Sequence, residues 1–459
     1  MKKKMHLLQY MMPPVTHHSS ATWKHPRNMT MTNAFQWNRP EIWQEIARIA
    51  ERGKFDAVFF ADTEGIYSEY ENSYKSAVRY ASQVPCYEPS VLMSFMGAVT
   101  QHIGLTMTFS VAGYPPYILA RKLATLDHLS RGRVGWNVVT AFHKNASENL
   151  GLNVEQYHLS HDQRYDRVDE YMEVCYKLWE SWEPDAIVMD AENNIFADPE
   201  KVHPIHHEGK WFRCKGPLNI DRSPQGRPVI LQAGQSTRGI QSAAKHAELI
   251  FTLQPDREAM KVYYHRLKEE AVKVGRDPDD VRVCFGLQVF VGETEDIARA
   301  KAALHNALVP AEAGVTILSG HLGYDLSKHG LDEFIADLKV PGIQGMIDAY
   351  KHSSSANATI REAGMLHGRG VMTPQLVGSP EQVADWMEET MNEVGGDGFL
   401  LSPAYMPGSL EEFVELVVPI LQKRGLARTE YVENGTLRDN LRTLNAKSTE
   451  QVRFAREII

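Results

Sequence analysis

Short apolar, β-branched runs bounded by Gly, Pro or Asp recur along the chain. Eight of them predict strands, over residues 5–12, 57–62, 104–113, 134–140, 228–234, 249–253, 281–292 and 398–403. Between them lie helix-like stretches such as "RPEIWQEIARIAERG" (39–53), "PSVLMSFMGAVTQH" (89–102), "PYILARKLATLDHLSRG" (116–132) and "PEQVADWMEETMNEVG" (380–395). Several open with Pro in the first turn and close with Gly. Strands apolar on both faces that alternate with helices describe a parallel sheet, and eight of them close into a (β/α)8 TIM barrel. An open doubly wound sheet is the rival. The strand number and the lack of a dinucleotide fingerprint both count against it.

Two segments exceed a minimal barrel. Residues 141–227 hold the helical "RYDRVDEYMEVCYKLWESW" and then a polar stretch, whereas residues 305–375 are rich in Gly, Ser and His with weak periodicity. Long segments after barrel strands sit over the catalytic face. We therefore read them as insertions after strands 4 and 7, the second a lid, within one domain spanning 1–441. Residues 442–459 form a charged C-terminal tail, either a helix at a subunit contact or a frayed end.

Composition narrows the function classes. The 459 residues are 43% hydrophobic and 23% charged, ordinary for a globular chain. A net charge of −9 without a long basic run argues against a nucleic-acid surface. The opening "MKKKMHLLQYMMPP" imitates a signal peptide, but its apolar part is short, holds His6 and Gln9, and lacks a small-residue cleavage site. No apolar run reaches the roughly 20 residues of a membrane span. Cys86, Cys175, Cys214 and Cys284 lie far apart, which suits reduced thiols in a cytoplasmic protein.

In a barrel the functional residues gather at the C-terminal ends of the strands. Those ends lead to His17 and His18, Asp62, Thr108 and Ser110, Asn137 and Thr140, "QAGQSTRG" (232–239) and Ser402. They are mostly neutral hydrogen-bonding groups. Asp62 is either a helix N-cap or an acceptor for the N–H groups of a heterocycle. Ser236, Thr237 and Arg238 lie between Gly234 and Gly239 where a helix begins, a phosphate-binding arrangement or a simple Ser cap. His161, Arg164 and Tyr165 fall within one turn at another helix start, able to close over an anion or merely to cap. His17 and His18 are catalytic or ordinary loop histidines. Neither they nor His203, His206 and His207 fall into a metallohydrolase pattern, so no metal is expected. No G-x-G-x-x-G follows a strand and no G-x-x-x-x-G-K-[ST] occurs, which removes Rossmann and P-loop sites.

Longer stretches carry a resemblance. "LDHLSRGRVGWNVVT", "ASENLG", "HDQRYDRVDEYMEVCYKLWESW", "GPLNIDRSPQGRPVILQAGQSTRG", "DGFLLSPAYMPGSLEEFVELVVPILQKRGLARTEY" and "GTLRDNL" resemble the bacterial-luciferase-like flavin monooxygenases from about residue 5 to about residue 441. The branch most resembled is the two-component one that oxidises nitrilotriacetate, EDTA, dibenzothiophene sulfone, long-chain alkanes or dimethyl sulfide. "GKFDAVFFADTEGIY", "VRYASQVP" and "GYDLSKH" look most like its alkane and dimethyl sulfide members.

The resemblance implies a TIM barrel that takes reduced FMN from a separate NAD(P)H:flavin reductase. It implies that O2 adds to give a C4a-peroxyflavin, which oxygenates an organosulfur compound, an alkane or an aminopolycarboxylate. The flavin carries the hard chemistry and the protein supplies position and shelter. A homodimer or homotetramer is implied as well. Carried over position by position, the resemblance puts Asp62, Ser110 and Asn137 around the isoalloxazine. It puts His161, Tyr165, Ser236 and Thr237 at the ribityl-phosphate end, and His17, Tyr67 and Gln83 at the reacting end. The alkane-type Cys is replaced by Pro14, and one alkane-type His by Phe142 with His143 beside it. Another has no aligned partner, though His321 lies close. Two further readings are a deazaflavin (F420)-dependent oxidoreductase of the same superfamily and a non-catalytic flavin-binding protein.

Overall fold

The computed structural model describes residues 2–12, 18–20, 22–32, 36–140, 144–151, 159–338 and 358–445, and of Gln36, Lys144 and His161 the backbone only. Eight parallel strands close a barrel: β1 (His6–Met11), β2 (Ala57–Phe60), β3 (Gly104–Ser110), β4 (Val134–Val139), β5 (Val229–Gln232), β6 (Leu249–Thr252), β7 (Arg282–Val291) and β8 (Gly398–Ser402). Each pairs with its sequence neighbour except that β8 sits between β7 and β1 and so shuts the ring. All eight fall inside the stretches read from the sequence. A further strand, Gln375–Gly378, pairs beside the long β7 at its C-terminal half.

The strands obey a period of two. Leu8, Tyr10, Ala57, Phe59, Val229, Leu231, Leu249, Cys284 and Leu400 form one apolar cluster inside the ring. The alternate residues, among them Leu7, Val58, Phe60, Trp136, Ile230, Ile250, Phe285 and Phe399, join the cluster between barrel and helices. Burial on both faces explains why the strands read as continuous apolar runs.

The helices used below are α1 (Pro40–Arg52), α2 (Pro89–Gly97), α3 (Pro116–Leu129), α4 (His161–Trp179), α5 (Thr237–His246), α6 (Arg257–Lys273), α7 (Glu295–Ala307), α8 (Ala311–Leu322), α9 (Ile360–Gly370), α10 (Pro380–Val394) and α11 (Leu437–Thr443). α1 buries Trp43, Ile46, Ala47, Ile49 and Ala50, the stripe of a 3.6 period. α10 starts on a reciprocal Ser379–Gln382 capping box and stops at Gly395 with φ 86°. α2 is shorter than its pattern. It ends at Gly97 because the backbone N–H groups of Gln101, His102 and Ile103 all turn to Glu51 Oε1, at 2.8, 2.6 and 3.1 Å.

Between β4 and β5 the chain builds α4 and two small hairpins, Ile187–Asp190 with Ile195–Ala197 and His207–Glu208 with Arg213–Cys214. Between β7 and β8 it builds α7, α8, α9 and α10. α8 and α9 lie backbone to backbone: a Cβ on Gly314 would stand 1.9 Å from the Gly364 carbonyl oxygen. Contact through glycine leaves little amphipathic signal, so the weak periodicity of 305–375 hides α8 and α9. At the N-terminal end of the barrel, Leu437 and Leu441 of α11 enter the inner cluster and form its floor. The Leu437 N–H donates to the Gly132 carbonyl at 2.8 Å, at the start of β4. Buried ion pairs ring this floor, Arg438 with Glu248 at 2.7 Å and Arg428 with Asp56.

Candidate active site

The exit of β4 divides its polar residues by the strand's alternation. Trp136 points outward, donates its indole N–H to the Phe109 carbonyl at 3.1 Å and packs against Tyr171 and Trp179 of α4. Asn137, one residue on, points into the ring opposite Thr108 of β3. Its Nδ2 donates to Thr108 Oγ1 at 3.0 Å. Its Oδ1 is buried without a hydrogen-bond partner, as is Ser402 Oγ at the inward-facing end of β8. Buried polar groups are rarely left unmatched. Two of them, at the C-terminal ends of β4 and β8, mark a place for a polar ligand. Ser110, at the end of β3, is buried and receives the Ala112 N–H on its hydroxyl at 3.2 Å.

The loops after β2 bring a second group together. Asp62 does not cap a helix. Its Oδ1 accepts the Thr63 N–H at 2.8 Å and the Cys86 thiol at 3.3 Å. Burial, and then the neighbouring Glu64, push its carboxyl up to about 7. Tyr67, Gln83 and His321 meet although they come from three separate segments. Tyr67 donates to Gln83 Oε1 at 2.9 Å, and His321 Nε2 lies 2.9 Å from the Tyr67 hydroxyl. His321 Nδ1 lies 2.8 Å from Nε2 of His367, a residue not singled out from the sequence.

The amide oxygen of Gln83 only accepts, so the chain has one direction. His367 Nε2–H donates to His321, His321 Nε2–H to Tyr67, and Tyr67 to Gln83. Burial holds His321 at about 4. It also drives His367 well below the usual histidine range, helped by the nearby His321 and His18. Both rings are therefore neutral near pH 7. Gln83 has φ 55° and Ala81 φ 53°. Non-glycine residues in that region cost about 1 kcal/mol or more each, a cost met where a side chain must be aimed. Gly320 makes room for the Tyr67 ring, since a Cβ there would lie 2.2 Å from Tyr67 Cδ1. On the inner side Tyr10 joins the group through His18, 2.5 Å from its hydroxyl.

The third group lies at the start of α5. Ser236 is its N-cap and accepts the Gly239 N–H at 3.0 Å. Tyr165 of α4 reaches the same point: a Cβ on Gly239 would lie 2.9 Å from the Tyr165 hydroxyl and 3.0 Å from Ser236 Oγ. Thr237 is exposed, and its hydroxyl accepts from Arg266 of α6 at 2.7 Å. Arg238 is fixed by Asp166 and Asp169 of α4, at 3.1 and 2.9 Å. The first N–H groups of an α-helix have no partner within it. Here they combine with hydroxyls and a held guanidinium into a cradle for an anion.

His17 and His143 lie outside the described residues, as does the side chain of His161. Among the described residues no three His, Cys, Asp or Glu side chains converge as a metal site, and no helix is long and apolar enough to cross a membrane. His367, Glu64 and Cys86 enter the site without a sequence signal. Their partners come from other loops, and spacing along the chain says nothing about such meetings.

Comparison with known proteins agrees with this layout. The model of the luciferase-like monooxygenase family matches residues 18–398. Dibenzothiophene-sulfone monooxygenase of Rhodococcus erythropolis (strain XP) is 41% identical, over 96% of this chain and 97% of that one. Long-chain alkane monooxygenase of Geobacillus thermodenitrificans (strain NG80-2) is 42% identical, over 96% and 94%. Among solved structures, riboflavin lyase with modified FMN and substrate riboflavin superposes with a TM-score of 0.87 at 34% identity, covering 97% of each chain. An eight-stranded barrel with neutral polar groups at its C-terminal rim, and similarity that runs almost end to end, lead to one conclusion: this chain belongs to the luciferase-like monooxygenase family.

Proposed function

We propose that the chain is the oxygenase component of a two-component system, working on reduced FMN delivered by a separate NAD(P)H:flavin reductase. The observation that carries this reading is the pair of buried, unmatched polar atoms at the barrel rim, Asn137 Oδ1 and Ser402 Oγ. FMN fits the residues present. The ring would lie against Asn137, Ser110 and Asp62, with Asn137 Oδ1 accepting a ring N–H. The phosphate would be held by Tyr165, Ser236, Thr237 and the N–H groups opening α5. When bound, reduced flavin activates O2, and one oxygen atom goes to the substrate while the other leaves as water.

The protein's share is position and dryness. Tyr67, Gln83, His321 and His367 form a neutral wall beside the ring site, with hydrogens pointing in a set direction. Such a wall can orient a small molecule and hold a proton at Tyr67 Oη or His321 Nε2 without placing a charge near the reacting atom. His17 and His143 are proposed at the same end. This lining favours a neutral organosulfur compound or an alkane over an aminopolycarboxylate. A polycarboxylate needs cations, and Arg361, in the first turn of α9, is tied to Asp332 at the surface.

The test is O2 uptake driven by NADH, FMN and a flavin reductase, with dimethyl sulfide, dibenzothiophene sulfone, an alkane and nitrilotriacetate offered in turn. Uptake stimulated by a neutral substrate is expected. Hydride transfer from a reduced deazaflavin, with no substrate-dependent uptake, would replace this reading with the F420-type one. Flavin binding without either activity would leave a carrier.

A further inference from the structure

The other end of the barrel holds a cavity of 130 Å³ lined by Glu180, Arg222, Gln225, Gly226, Arg227, Arg438 and Arg442. Gln225 and Arg227 precede β5, and Arg438 and Arg442 belong to the floor helix α11. The cavity therefore opens on the N-terminal face, away from the rim described above. The geometry points to a second anion site here, one that takes a small tetrahedral oxyanion of the phosphate class.

The lining is rich in cations: four guanidiniums and the carboxylate of Glu180 surround the cavity, with Glu248 behind Arg438. Arg438 is fully engaged. Its Nε and Nη2 reach Glu248 at 2.7 and 2.9 Å, its Nη1 the Gln225 carbonyl at 2.7 Å, and its Nη2 also the carbonyls of Arg227 and Pro228 at 3.0 and 3.1 Å. It takes up both oxygens of the buried Glu248.

Arg222 and Arg227 are in a different position. Among the described residues neither guanidinium donates a hydrogen bond or joins an ion pair. Arg227 lies over the Tyr176 ring at 4.7 Å, which orients its plane and leaves its N–H edges open. Arg222 lies across the Ser223–Gly226 turn. Gly226 has φ 72°, and a Cβ there would stand 2.8 Å from Arg222 Nη2, so glycine is what lets the guanidinium settle over the turn. Burial lowers the pKa of Arg222; Glu180 opposes that, and the neighbouring Arg227 and Arg438 add to the lowering. Holding half-buried like charges together without an occupant is unfavourable, and a dianion reverses the sign of that interaction. Guanidinium forks match the oxygen spacing of phosphate.

The experiment is a calorimetric titration of inorganic phosphate at constant ionic strength into wild type, Arg222→Met, Arg227→Met, Arg222→Lys and Ser236→Asp. The last variant closes the α5 cradle, so phosphate taken up there is counted separately. Wild type and Ser236→Asp are expected to share one phosphate-binding step. Either Met variant should weaken that step about tenfold or more, with Arg222→Lys between. Melting curves in phosphate-free buffer establish that the variants fold. Glycerol phosphate, titrated in parallel, separates a pocket for a phosphate monoester from one that admits only the free ion. Met variants that bind phosphate like wild type overturn the proposal. So does a wild type whose only phosphate step disappears in Ser236→Asp. Neither result touches the FMN reading, which rests on the opposite face.

Discussion

Asn137 shows how one side chain can carry a functional reading. A strand buried on both faces has no structural need for a carboxamide, and this one satisfies only its amino half. Asn137→Leu should leave the melting temperature within a few degrees of wild type, because an unmatched buried acceptor is lost together with its hydrogen bond. The same substitution should weaken FMN binding about tenfold or more in a fluorescence titration, and unchanged affinity would remove Asn137 from the ring site. Asp62 yields a second prediction. Its carboxyl titrates at about 7 in the fold against 3.8 in the unfolded chain. The folded state thus holds the extra proton between those values, and Asp62 costs stability as pH rises through them. Asp62→Asn should raise the melting temperature at pH 8 relative to wild type and change it little at pH 4. Asn137 and Asp62 could be picked out as candidates because each is a polar residue near the exit of an apolar strand. His367 was not, because its role comes from a neighbouring helix, and a lone histidine among glycines reads as a loop.

At the scale of elements, strands announced themselves far better than the segments that decorate them. Every barrel strand has a fixed period and punctuated ends. α8 and α9 instead bury Gly314, Gly364 and Gly368 against each other, and small residues blur the helical stripe that reading depends on. The pair matters because α8 carries His321 and α9 carries His367. Gly314→Val inserts bulk where a Cβ already meets backbone, and overpacking of that kind costs roughly 1–3 kcal/mol. The expected outcome is a lower melting temperature together with a loss of substrate-stimulated O2 uptake, while FMN affinity stays close to wild type. Loss of FMN binding in step with activity would mean that the helices support the ring site and not the reacting end.

The whole molecule carries an acid weakness. His25, His305 and His321 are each held at about 4 against 6.5 in the unfolded chain, chiefly by burial, and burial also drives His367 well below its usual range. Between pH 6.5 and 4 the unfolded chain therefore binds more protons than the folded one, and stability falls as the pH drops through that window. Asp62, Glu64 and Asp127, all raised by burial, work in the opposite sense, but the four histidines outnumber them. Thermal melts should show a steady decrease from pH 7 to pH 5, with His321→Gln flattening part of the slope. A flat profile would mean that water reaches these rings.

The floor helix α11 has a consequence for how the molecule is made. β1 needs β8 as one of its two partners, and the inner cluster needs Leu437 and Leu441, so the first strand waits for the far end of the sequence. At ribosomal speeds of roughly 5–20 residues per second, one flank of β1 stays unmated for tens of seconds. Throughout that interval a nascent chain offers sticky backbone to its neighbours, which makes escape from clumping during synthesis a matter of timing and chaperone supply more than of final thermodynamic strength.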